Sequence, residues 1–286
     1  MDLNFVKFKL ARAALHHYEE PCLSGTRGSG TLFFSGCDLR CPFCQNYEIS
    51  AGGKGLTVNG NDLIFLARSL VDEGAENINL VTPSIWLDKL IPVLEALKNE
   101  VKVPIVWNSN GREDVAKLKK LEGLVDVYLP DFKYSDEQLA RKYGAGENYP
   151  ERARAAISEM RRQQPTDVFD ERGMMQKGVI VRHLVLPAAV ENTRGVLDQI
   201  AAIDKTLYVS LMGQYFPTPA VQAHPVLGRR ITQEEYDEAT DAFFEAGLTN
   251  GFSQELDSAT EEYVPDFDLG LLEKKLSGKT NGFSAE

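Results

Sequence analysis

Six short, apolar, β-rich runs alternate with helical patterns along most of this chain, and that alternation restricts the fold more than any other feature. The runs are "GTLFFSG" (30–36), "NINLV" (77–81), "PIVWN" (104–108), "VDVYL" (125–129), "GVIVRHLVL" (178–186) and "TLYVSL" (206–211). Between them lie amphipathic stretches. "NDLIFLARSLVDEG" (61–74) carries an Asn N-cap, apolar residues at helical spacing and a closing Gly. "SIWLDKLIPVLEALKNE", "REDVAKLKKLEG", "SDEQLARKYG" and "VENTRGVLDQIAAI" follow the same plan, and "TQEEYDEATDAFFEAG" (232–247) opens with a T-x-x-E capping box. Such alternation makes βαβ units and a parallel sheet. Six strands fall short of a closed eight-stranded barrel, so pattern alone allows a doubly wound open sheet or an incomplete barrel. The stretch 145–177 is an excursion with one expected helix (151–163). Residues 1–29 read as an N-terminal segment, 30–247 as the core domain, and 248–286 as an extended tail whose last dozen residues are disordered.

At 286 residues, 43% of them hydrophobic, the chain can bury a sizeable core. No apolar run approaches the roughly 20 residues that cross a bilayer, and "MDLNFVKFKLARAALHHYEE" has no signal-peptide pattern. The expected compartment is the cytoplasm, where thiols stay reduced. A net charge of −11 argues against nucleic-acid or anionic-membrane partners.

Three of the four cysteines, Cys37, Cys41 and Cys44, fall in "FFSGCDLRCPFCQNYEIS" (33–50) with the spacing CxxxCxxC. A structural zinc site usually needs two ligand pairs, and His16, His17, His183 and His224 show no such pairing. Cys22 is available as a fourth thiolate, but reads better as a small buried hydrophobe. The functional alternative is a [4Fe–4S] cluster held by three thiolates. Four cysteines normally close such a cluster, so three leave one iron open. An open iron can chelate a small molecule and pass it an electron.

With the aromatic Phe43 just before the third cysteine, "GCDLRCPFC" resembles the signature of the radical S-adenosylmethionine (SAM) superfamily. The longer string "SGTRGSGTLFFSGCDLRCPFCQNYEIS" is similar to its pyruvate formate-lyase activating enzyme-like branch, and the likeness runs from about residue 20 to about residue 268. It implies a partial (βα)6 barrel with a largely parallel six-stranded sheet, one [4Fe–4S] cluster on Cys37, Cys41 and Cys44, and SAM as the fourth ligand. Phe43 then lies against the adenine, with Gln45 also facing the nucleoside. "VWNSNG" matches the family's third-strand motif and places Asn108 and Ser109 where an Asp and a Thr hold a cation near the SAM carboxylate. "LPDFK" gives Asp131 and Lys133, and "VRHLVLP" gives Arg182 for the SAM carboxylate. His183 should point the other way. The family's Gly-Gly-Glu, which takes the SAM amino group, has no counterpart in "VTPSIW", so backbone or hydroxyl groups near Thr82, Pro83 and Ser84 must substitute. Gln214 in "SLMGQYFP" stands near the place of a sixth-strand His.

The implied reaction is reductive cleavage of SAM to a 5′-deoxyadenosyl radical, which abstracts a hydrogen atom. The favoured target is a glycine Cα in a partner glycyl radical enzyme, with a flavodoxin- or ferredoxin-type electron donor. The alternative is modification of a peptide side chain or small molecule. A non-catalytic electron carrier fits less well, because it would close its cluster with a fourth cysteine. With only Cys22 to spare, a second cluster cannot be fully ligated by the chain.

Overall fold

The computed structural model of the protein describes residues 2–254 and 265–282. Its strands are β1 (Lys7–His16), β2 (Ser29–Phe34), β3 (Leu56–Asn59), β4 (Ile78–Val81), β5 (Ile105–Ser109), β6 (Val127–Pro130), β7 (Val168–Phe169), β8 (Met175–Leu184), β9 (Tyr208–Met212) and β10 (Gly251–Ser253). They form one sheet in the order β3-β1-β2-β4-β5-β6-β8-β9-β10, with β7 paired to β8. Along that order from β2 to β10 every neighbour is parallel, while β1 is antiparallel to both β2 and β3 and β7 is antiparallel to β8. Among the described residues β3 and β10 stay unpaired to each other, so the barrel is partial and unclosed.

All six expected strands are present, and β2, β4, β5 and β6 are buried along their whole length. A strand covered on both faces needs no polar alternation, which is why these segments read as continuous apolar runs. In register, Leu32, Leu80, Trp107 and Tyr128 lie side by side, buried in the layer the helices also enter. The helix Gly60–Asp72 contributes Leu63, Leu66, Ala67 and Leu70 to that layer. It starts two residues earlier than its apolar pattern suggests. Asn59, not Asn61, is the N-cap, because its side chain accepts the Asp62 N–H while Asp62 accepts the Asn59 N–H.

The sheet has strands that the sequence pattern did not announce. β1 runs back along β2 until His16 pairs with Ser29, so residues 17–28 turn beneath the start of the barrel. There the short helix Pro21–Ser24 buries Cys22 and Leu23 among Val106, Val127, Leu129 and Ile180. Cys22 is thus an apolar plug, and burial pushes its thiol up to about 12.

The expected extended tail is not what the described residues form. β10 adds a parallel edge to β9, and Leu269–Gly282 is a helix whose Leu272 is buried and whose Leu276 packs on the core. Gly270, Gly278 and Gly282 dilute its helical signal, since each costs about 1 kcal/mol relative to Ala. Of the dozen residues expected to be disordered, 275–282 are helical and 283–286 lie outside the described residues. Residues 255–264 of the expected tail also lie outside the described residues.

Candidate active site

A cavity of ≈ 440 Å³ opens at the C-terminal ends of the parallel strands, where ligand sites of such sheets collect. Twelve of the site residues read from the sequence line it: Cys37, Cys41, Phe43, Cys44, Gln45, Thr82, Asn108, Ser109, Asp131, Lys133, Arg182 and Gln214, while Pro83 and Ser84 are not among its lining residues. They come from the ends of β2, β4, β5, β6, β8 and β9, and the fold brings them to one place.

The cysteine loop leaves β2 and is fixed by backbone bonds. The Gly36 N–H donates to Ile49 O at 2.9 Å and the Arg40 N–H to Gly144 O at 2.8 Å. Gly144 has φ +77°, and a Cβ there would stand 2.2 Å from the Arg40 carbonyl oxygen. The Leu39 N–H (3.4 Å) and Asn110 Nδ2 (3.6 Å) both point at the Cys37 sulfur, while Cys44 Sγ lies 3.2 Å from Ser50 Oγ. Burial raises the thiol pKa of Cys37 and pushes Cys41 up to about 12, against the pull of the Lys133 cation. So deeply buried a thiol gives up its proton to a metal rather than to water. Among the described residues no three His, Cys, Asp or Glu side chains converge on a single ion. A cluster binds each thiolate at a different iron and does not need that convergence, so this donor set fits a cluster better than zinc.

Opposite the loop lies a charged arch. Asp131 accepts from Lys133 Nζ at 2.6 Å and from Arg182 Nε at 3.0 Å. Burial alone would raise the Asp131 pKa, but the two cations hold it below its ordinary value. Burial would likewise lower Lys133 and Arg182, and their carboxylate partners keep both raised and charged. Arg182 also donates to Asn108 Oδ1 at 2.5 Å and to Glu19 Oε2 at 3.2 Å. Its guanidinium still has two N–H groups that these bonds do not use. His183 does point the other way. It is fully buried between Phe132 O and Thr193 Oγ1, and burial drops its pKa to about 4.

Phe43 packs edge-on against Tyr143 and Tyr215 while facing the cavity. Gln45 Nε2 donates to Gln214 O at 3.4 Å. Thr82 has φ +59°, a left-handed conformation that is unusual for a β-branched residue and strained. Its N–H is tied to Asn108 O at 2.9 Å, and the next turn is pinned by Ser84 Oγ donating to the buried Glu113 at 2.6 Å. The segment lacking Gly-Gly-Glu therefore still takes a glycine-like turn.

The residues that sequence reading missed come from the segment after β1. Glu20 and the side chain of Glu19 are buried, and both line the cavity. Glu19 Oε1 accepts from Asn79 Nδ2 (3.1 Å) and Asn108 Nδ2 (3.2 Å). Burial raises both acids despite Arg182. His16 also lines the cavity, and burial with the Arg12 charge lowers it to about 4. "HHYEEP" gives no local sign of this, because only the antiparallel return of β1 carries it under the barrel.

Residues 31–177, just over half of the chain, match the family model described as the Radical SAM superfamily. The chain belongs to the radical SAM superfamily. Its cofactors are those of that family, a [4Fe–4S] cluster and SAM. This radical SAM protein is 29% identical over 222 residues to an uncharacterised protein of Methanocaldococcus jannaschii, covering 74% of this chain and 60% of that one. It is 29% identical over 128 residues to a protein of the same organism named provisionally as a glycyl-radical enzyme activating enzyme, covering 41% of this chain and 50% of that one. The chain thus spans between half and three-fifths of the length of these relatives. Among solved structures it resembles methylornithine synthase, with a TM-score of 0.54 at 13% identity over 91% of this chain and 84% of that one. At that identity the likeness is one of fold.

Proposed function

We propose that this radical SAM enzyme abstracts a hydrogen atom from the Cα of a glycine in a partner protein, leaving a stored glycyl radical. The observation that carries the reading is that the residues matched to activating-enzyme motifs, from the ends of β2, β5, β6 and β8, line one cavity together with Thr82 and Gln214, which stand where two family motifs are missing. The relative named for glycyl-radical activation supports it. When bound, the cluster and SAM supply a one-electron cleavage that yields methionine and the 5′-deoxyadenosyl radical.

In this reading residues 30–247 are the catalytic core. Cys37, Cys41 and Cys44 hold the cluster, while Phe43, Gln45 and Gln214 flank the nucleoside. Lys133 and the free N–H groups of Arg182 take the SAM carboxylate, Asp131 and Asn108 keep these cations placed, and Ser109 lines the wall beside them. The backbone turn at Thr82 meets the amino group. A flavodoxin- or ferredoxin-type donor in the cytoplasm supplies the electron. The test is deuterium transfer under anaerobic reduction. With an α-deuterated glycine in a peptide from the partner, the label should appear in 5′-deoxyadenosine. Transfer only from a side chain or a small metabolite would remove the glycyl reading and leave the radical SAM chemistry standing. The second reading, a small or side-chain substrate, draws on the buried acids Glu19 and Glu20, for which glycine Cα chemistry has no evident use.

A further inference from the structure

The cavity holds hydrogen-bond acceptors without donors. Glu20 is only 7% exposed and its Oε2 is buried without a hydrogen-bond partner, as is Gln254 Oε1 just after β10. Both residues line the cavity. The nearby charges do not satisfy Glu20. Lys133 is bound to Asp131, and Arg182 makes its three hydrogen bonds to Asp131, Asn108 and Glu19. Three buried acids therefore share two cations; the Arg182 charge reaches Glu20 but its hydrogen bonds go elsewhere, and burial still raises the Glu20 pKa. Gln254 Nε2 is directed to Gln214 Oε1 at 3.4 Å, which leaves its buried amide oxygen as an unused acceptor. A buried acid and a buried amide oxygen left without partners each need a donor, and a charged donor also favours the ionised form of the acid.

We propose that Glu20 and Gln254 form a subsite for a primary ammonium group on the substrate, beside the SAM site and not part of it. An ammonium offers three donors and one positive charge, which matches a free carboxylate oxygen, a free amide oxygen and the unbalanced acid. A neutral alcohol of the same shape would leave the carboxylate uncompensated, and a carboxylate substrate would be repelled. This deepens the proposed function and rests on its reading that substrate enters this cavity. The ammonium belongs either to a lysine near the target glycine or to a free amine.

The test uses the full chain, anaerobically reconstituted and saturated with SAM, titrated calorimetrically with n-butylamine and with n-butanol. The amine should bind at least about tenfold more tightly, and Glu20→Gln should remove most of that preference while the affinity for SAM is kept. Equal binding of the two probes, or a preference unchanged in Glu20→Gln, overturns the subsite. So does displacement of SAM by the amine, because the acids would then serve the cofactor's own ammonium. If Glu20→Gln does not fold, Gln254→Leu must lower the amine preference severalfold, and no change in that variant overturns the proposal. A Gly–Lys peptide with blocked termini, run beside butylamine, separates the sources: tighter peptide binding assigns the ammonium to a polypeptide, tighter butylamine binding to a free amine. Loss of the amine preference together with intact label transfer from glycine would remove the subsite alone.

Discussion

Asp131 is the residue on which the charged arch turns. It accepts from both Lys133 and Arg182, so each cation stays charged in a place where burial would neutralise a lone lysine. Lys133→Ala and Arg182→Ala should each weaken SAM binding by roughly 1.5–3 kcal/mol, the usual worth of hydrogen bonds to charged groups. Titration of SAM into reconstituted protein measures this, and unchanged affinity in both variants would contradict the placement of the SAM carboxylate. His183 makes a separate prediction about stability. Its folded pKa of about 4 lies below the ordinary 6.5, so between those values the unfolded chain binds the extra proton. Its contribution is full above pH 6.5 and is lost as pH falls towards 4, by about 3 kcal/mol in all and about 1 kcal/mol by pH 5.5. Urea unfolding of the protein and of His183→Gln at pH 7 and pH 5.5 should show the parent losing that much more than the variant. An equal loss in both would mean that the imidazole is not held neutral.

At the scale of elements, the cysteine loop is shaped by a distant glycine. Gly144 has φ +77°, and its Cα lies against the Arg40 carbonyl. Gly144→Ala brings both left-handed strain and a backbone clash, which together should cost about 2–4 kcal/mol. Because the displaced carbonyl belongs to the loop between Cys37 and Cys41, iron content after reconstitution should fall along with the unfolding midpoint. A stable variant with full iron would show that the loop tolerates the shift. Much of this architecture was legible. The parallel strands β2, β4, β5, β6, β8 and β9 are apolar runs, and the candidate residues matched to motifs sit at or just past strand ends, where a local pattern is enough to point to them. What was not legible depends on long-range pairing. β1 alternates with charges such as Lys7, Lys9 and Arg12, and its role emerges only when it pairs with β2. Glu19 and Glu20 follow it, and nothing local distinguishes buried acids from solvated ones. The three-residue β10 is too short to carry a pattern, and glycines thin the signal of the helix Leu269–Gly282.

For the whole molecule, an unclosed parallel barrel gathers three cysteines, a charged arch and two buried acids around one space. The N-terminal segment plugs the barrel beneath them with Cys22 and Leu23, so the fourth cysteine is spent on packing and not on ligation. The central claim is that three thiolates hold a cluster with one open iron that SAM occupies. The most direct test is EPR of the anaerobically reconstituted, dithionite-reduced protein before and after SAM is added, with iron and zinc measured on the same sample. One [4Fe–4S] cluster per chain is expected, with a spectrum that changes when SAM binds and slow release of 5′-deoxyadenosine and methionine. Alanine at Cys37, Cys41 or Cys44 should abolish the signal, and Cys22→Ala should keep it. Stoichiometric zinc without iron, or a cluster spectrum indifferent to SAM, would contradict the account.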